Sequence, residues 1–175
     1  MIIVIQWFHE FLGIFWFGGS LYLNFMVVPV ILKLPLGQQR DISVPLGVLS
    51  NRVLPLVGIL VILLGLLRGT VWGSVQSLTF LLGTTYGLTF LLSFLVACAV
   101  VIWGHFVTGR AATRLNTFPL TEVTKPESTV ALAFNAQVQR VKLFILIELL
   151  GFFVIFTLCW LLGSSVRKID VFSMI

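Results

Sequence analysis

The stretch FLGIFWFGGSLYLNFMVVPVIL, from Phe11 to Leu32, decides the fold. Its 22 residues carry no charge, enough for about 33 Å of helix at about 1.5 Å per residue, against a hydrocarbon core of about 30 Å. The stretch extends back to about Ile2, and Pro29 and Pro35 are expected to end it. It lacks the basic start and short apolar centre of a cleavable signal peptide and is too long for one, so it is expected to stay in the mature protein. It reads as the first of several bilayer spans.

Working outward, a second apolar run covers about Pro55 to Leu67, begins earlier near Val48, and is closed by Arg68-Gly69. The interval from Gly69 to Gly109 has no charge across 41 residues, too many for one helix and too few for two full spans with a loop. Gly73, Ser74, Gly83, Thr84 and Thr85 predict a polar-aromatic turn with a short interfacial segment before a third span. A connection rich in Thr and Asn follows. Pro126-Glu127-Ser128 then reads as a helix start, so the last helix is expected to begin outside the bilayer and run to about Leu162. The expectation is an all-α, polytopic membrane four-helix bundle. It forms one transmembrane domain over 1–175, with spans at about 2–31, 52–68, 84–108 and 140–163 and a cytoplasmic connection at 110–139.

Composition agrees. Of 175 residues, 59% are hydrophobic and 10% charged, where a soluble domain has roughly a quarter charged, and the mean hydropathy is +1.12. No soluble core of this size hides that much apolar surface, so the lipid bilayer is the expected partner. Cys98 and Cys159 both lie in apolar runs, which excludes a disulfide scaffold. The net charge of +5 sits at span ends rather than on one element, which excludes a nucleic-acid footprint. Lys33, Arg40, Arg52, Arg110, Arg114, Lys125, Arg140 and Lys142 fall on the side of the first and third connections. Arg68, Arg167 and Lys168 fall on the other. This asymmetry predicts both termini outside and the basic connections in the cytoplasm.

Ionisable residues inside a span are costly and therefore informative. His9 and Glu10 lie in the first span, His105 late in the third and Glu148 in the fourth, with Arg68 at the outer end of the second. Helix rise puts His9 about 10 Å below one boundary and His105 about 8 Å above the other, so one metal bridging both histidines is not expected. An outer layer then gathers His9, Glu10, Arg68 and Trp72 or Tyr86. There Arg68 can pair with Glu10 or hold an acidic ligand group such as a haem propionate in its planar fork. An inner layer gathers Asn24, Met26, His105 and Glu148, where a His105/Met26 pair could ligate haem or copper. Each has a plainer reading beside it. His9 and His105 can be interfacial histidines bonded to backbone carbonyls, Glu148 a protonated carboxyl bonded across helices, and Glu10–Arg68 a structural pair. Gly18, Gly19, Gly58 and Gly65 read as close-packing positions, and Trp7, Trp72, Trp103 and Trp160 as an interfacial belt. Asp170 near the C-terminus is a further leftover charge. No phosphate-binding loop, zinc-protease helix or nucleophile elbow is present.

Trp7-Phe8-His9-Glu10 followed by Ile14-Phe15-Trp16-Phe17-Gly18-Gly19-Ser20-Leu21-Tyr22 resembles the opening helix of the copper-resistance protein D (CopD-like) superfamily. Leu82-Gly83-Thr84-Thr85-Tyr86-Gly87-Leu88-Thr89 and Gly104-His105-Phe106-Val107-Thr108-Gly109-Arg110 resemble four-helix integral membrane proteins of that superfamily. A related group, the HemJ-type protoporphyrinogen oxidases, shares four spans and an early first-helix histidine. In that group this histidine is thought to bind haem together with a third-helix lysine. His9 is the matching position here, and the lysine has no counterpart between Gly69 and Gly109. The resemblance implies b-type haem on His9, with Arg68 as propionate partner and Glu10 as a proton-handling neighbour, in electron transfer or haem and porphyrin metabolism. It implies a bacterial inner membrane location and, if an enzyme, a haem-dependent membrane oxidoreductase. Two other readings stand beside it. One is a copper uptake or tolerance permease using His9, His105 and Met26. The other is a non-catalytic subunit whose basic segment Arg110 to Lys142 docks a membrane-complex partner or a second copy.

Overall fold

A long charge-free run satisfies its own backbone N–H and C=O groups in lipid by forming helix along its whole length, whereas a closed barrel pairs strands of about ten residues. A computed structural model describes residues 2–125 and 127–172, with side chains to residue 163. It shows four helices long and apolar enough to span a membrane. We number the elements α1 (Ile2–Ile31), α2 (Leu36–Thr70), α3 (Leu78–Gly83), α4 (Thr85–Leu115), α5 (Leu120–Val123) and α6 (Thr129–Phe172). The chain is an all-α four-helix bundle and an integral membrane protein. Pro126 lies outside the described residues, as do the side chains of Arg167, Lys168 and Asp170.

Local chemistry explains the ends. α1 stops at Ile31, and the Gln39 amide donates back to the Leu32 and Leu34 carbonyls at 3.3 and 2.7 Å, serving acceptors that a helix end leaves orphaned. Ser77 and Thr84 cap α3 and α4 by accepting from Phe80 N and Gly87 N. Ser128 caps α6 through Ala131 N at 3.0 Å. Gly87 is required at the α3–α4 junction, since a Cβ there would stand 2.4 Å from the Leu81 carbonyl and 2.5 Å from that of Phe80.

Three helices run beyond the expected spans, and one of them, α6, expected to end at about Leu162, continues to Phe172. α2 starts at Leu36 rather than near 52 and passes through Pro45 and Pro55 without breaking. Its 35 residues make about 52 Å of helix, so its first turns stand outside a core of about 30 Å. α4 continues past 108 to Leu115, beginning with a π-helical segment, Trp103–Gly109. α1 holds a second such segment, Leu23–Val27, just before Pro29.

The centre of the bundle is one layer with a residue from each span. Trp16 of α1, Val57 of α2, Val100 of α4 and Phe152 of α6 form the buried core, with the Trp16 and Phe152 rings edge to face at 4.6 Å. α1 lies along α2, α4 lies along α6, and α2 joins α4, whereas α1 and α6 touch only briefly. Trp16 fits because Gly58 stands opposite it. A Cβ at Gly58 would lie 2.7 Å from Val101 Cγ2 and 2.9 Å from the indole, and one at Gly151 would lie 2.5 Å from Val100 Cγ2. Most other large apolar side chains face outward, as they do when lipid is the solvent. Trp103 ties α4 to α6, its Nε1 donating to the Phe144 carbonyl at 3.1 Å.

Gly58→Ala is therefore expected to cost about 1–3 kcal/mol by overpacking, because indole and valine confine it from two sides. Gly18→Ala, with nothing within 4 Å, is expected to stay within about 0.5 kcal/mol of the parent. Unfolding of both variants in detergent checks the contrast.

Candidate functional site

The core layer divides the polar residues into two groups. Measured along the helices, His9 lies about 10 Å to one side of Trp16, and His105 about 7 Å to the other side of Val100. The first group is on the side of the 71–77 connection. The second is on the side of the 32–35 and 116–128 connections, where the eight basic residues named above also fall.

On the first side, half-buried His9 is held between α1 and α2. Its Nδ1 donates to the Val61 carbonyl at 2.9 Å, and Gly65 lets the ring lie close, since a Cβ there would be 3.0 Å from Cε1. Arg68 and Glu10 lie within electrostatic range of the imidazole, and Arg68 is also within range of Cys159. Glu10 is exposed and accepts from the Gln6 amide one turn back at 2.9 Å. It does not pair with Arg68. Among the described residues the one ion pair is Lys125–Glu122, at 2.7 Å on the exposed connection.

On the other side a cavity of about 520 Å³ reaches from the core layer to the connections. Trp16 and Val100 form its inner end and Asn116, Thr117 and Phe118 its outer end. Both π-helical segments line it, as does Pro55. A proline leaves the carbonyl four residues earlier without its helical donor, so Pro55 releases the carbonyl of Asn51, itself a lining residue. Irregular backbone at membrane depth is tolerated where it is buried in protein or borders an aqueous cavity.

The glycines of the α4 π-helical segment receive polar side chains from both neighbouring helices. Glu148 of α6 lies against Gly104, where a Cβ would meet Oε1 at 2.9 Å, and Asn51 of α2 lies against Gly109, where a Cβ would meet Oδ1 at 2.6 Å. Ser20 is 3% exposed. Its Oγ is buried without a hydrogen-bond partner, the Thr108 hydroxyl lies within reach of the Glu148 carboxyl, and both residues line the cavity. Asn24 belongs to the same wall and donates to the Ser20 carbonyl at 2.8 Å.

Of the residues singled out from sequence, Asn24, His105 and Glu148 share this cavity, and Met26 does not. Met26 is 61% exposed on the outer surface of α1. The His105 ring packs on Phe106 at 4.7 Å. Among the described residues no group of three or more His, Cys, Asp or Glu side chains is placed to hold a metal ion. Ser20, Asn51 and Thr108 were not candidates from sequence, since a lone hydroxyl or amide in a span gives no signal until its helix rotation is known. The signal that was present is the pair Gly104 and Gly109 on one helix.

The outer end of the cavity is roofed. The Arg40 guanidinium donates to the Phe118 carbonyl, Ser43 reaches Asn116 at 3.5 Å, and the Phe118 ring packs edge to face on Phe134 of α6 at 5.6 Å. Comparisons with protein-family models, curated proteins and solved structures find no match. Arg40→Ala is expected to release the 116–128 connection while leaving the four spans intact. Limited proteolysis on that face should cut it severalfold faster, with unchanged far-UV circular dichroism.

Proposed function

We propose that this integral membrane protein binds b-type haem in the half of the bundle that holds His9, and that it serves electron transfer or haem and porphyrin metabolism. The observation that carries the reading is the hydrogen bond from His9 Nδ1 to the Val61 carbonyl. It fixes the proton on Nδ1 and leaves the Nε2 lone pair to bind a metal, the arrangement in which a ligating histidine is oriented by a carbonyl at its other nitrogen. The residues present fit one axial bond. His9 would hold the iron, Arg68 offers a guanidinium to a propionate, and Glu10 is the nearby carboxylate that answers a charge change at His9. Haem, when bound, supplies the one-electron chemistry, and the chain supplies orientation and electrostatics.

The resemblance points to a bacterial inner membrane, in which the basic residues of the 32–35 and 116–128 side favour that side in the cytoplasm and both termini outside. A copper permease draws less support, because its donors His9, His105 and Met26 are dispersed: one across the core layer, one on the cavity wall and one facing outward. The docking reading rests on the basic segment Arg110 to Lys142, part of which already packs on its own chain, with Gln137 donating to the Ala111 carbonyl at 2.9 Å.

The purified protein, reduced with dithionite, is expected to show the Soret and α bands of a b-type haem, and His9→Ala is expected to lose them. A colourless protein after haem is added, or full haem retention in His9→Ala, contradicts the reading.

A further inference from the structure

We propose that the cavity between the core layer and the 32–35 and 116–128 connections is a water-filled vestibule, and that it makes Glu148 a proton-exchange site near the middle of the membrane. This inference is independent of haem at His9, which lies across the Trp16 layer.

Four features converge on it. The cavity of about 520 Å³ has room for more than ten waters at about 30 Å³ each. Its wall holds the polar side chains of Asn24, Asn51 and His105 beside Glu148, and water needs only a few such groups to be held. Both π-helical segments and Pro55 border it, and Pro55 leaves the carbonyl of Asn51, a wall residue, without its helical donor. Finally, Glu148 stands on its wall about 6 Å from Phe152 by helix rise, where a carboxylate in dry hydrocarbon would be costly.

The chemistry selects a proton over a metal ion or an organic ion. Glu148 is the single acidic side chain on the wall, and no cluster of further ligands among the described residues could complete a metal site. The ionisable groups that share the cavity are His105 from α4, Arg40 from α2 and Lys142 from α6 itself, and α1 contributes none. Lys142 lies about 9 Å from Glu148 along the helix, and Arg40 is engaged by the Phe118 carbonyl. These cations oppose entry of a positively charged solute. A proton instead passes along hydrogen-bonded water: on release the O–H bond of the Glu148 carboxyl breaks as one forms on the neighbouring water, and uptake reverses this.

Thiol accessibility tests the vestibule. Cys98 and Cys159 are changed to alanine and single cysteines placed as Asn24→Cys, Asn51→Cys, Lys142→Cys and outward-facing Leu150→Cys. Oriented vesicles are then treated from each face with a negatively charged methanethiosulfonate. From the basic face, Asn24→Cys and Asn51→Cys, both on the cavity wall, should react within about tenfold of Lys142→Cys and about a hundredfold faster than Leu150→Cys, since only a thiol reached by water is ionised and attacked. Failure of both to react from that face while Lys142→Cys does, or reaction only from the opposite face, overturns the vestibule. Infrared spectroscopy of the unsubstituted protein tests the carboxyl. A pH-dependent carboxyl band, absent from Glu148→Gln, should shift within seconds of transfer to D2O. No such band, or one that resists exchange for hours, overturns the proton-exchange role even where the cysteines react.

Discussion

The bundle depends on two glycines that admit the bulk of the core layer, Gly58 against the Trp16 indole and Gly151 against Val100. Trp16 is the largest side chain of the core layer, and it fits against Phe152 only because α2 presents Gly58 where any side chain would collide with it. Gly151 does the same for Val100. In lipid, helices gain nothing by hiding apolar surface from one another, so close backbone approach and ring packing must hold them. That burden falls on few residues, because eleven apolar side chains among the described residues are buried. Losing the layer would leave α1 attached chiefly to α2.

The same layer makes the two halves of the molecule chemically different. On the His9 side, an imidazole is pinned to a carbonyl on the neighbouring helix and a guanidinium stands in range of it. On the other side π-helical segments and Pro55 border a cavity, and polar side chains of all four spans converge on it. An ordinary α-helix keeps its carbonyls to itself, so the clustering of helix irregularities around a single cavity is what sets that half apart. A cofactor reading for one half and a proton-exchange reading for the other require no shared residue.

Much of the fold was legible in the sequence because span number follows from charge-free length, and length is insensitive to side-chain detail. The start of α2 was not, because Pro45, Pro55 and the polar residues after Leu36 read as a connection. A long helix tolerates such prolines where neighbouring helices and polar side chains serve the freed carbonyls. Depth was legible from residue counting, which put His9 and His105 in different layers. Rotation was not: Asn24 and Met26 are two residues apart, and one lines the cavity while the other faces outward. Trp103 reads as belt from its position, yet its N–H serves Phe144, and Trp16, given no role beyond its motif, organises the core. The glycines that looked most like packing signals divide in the same way, Gly18 being open and Gly58 confined. Pairings across helices depend on rotation, and a single sequence does not encode it visibly.

A water-filled vestibule requires the layer of Trp16, Val57, Val100 and Phe152 to close it off from the half of the bundle that holds His9. A nitroxide scan of α4 in vesicles, reading collision with oxygen against collision with a water-soluble paramagnetic complex, tests this most directly. On the bundle-facing side, access to the water-soluble complex should be low up to Val100 and rise sharply by Gly104. Uniformly low access beyond Val100, or equal access on both sides of it, would contradict the account.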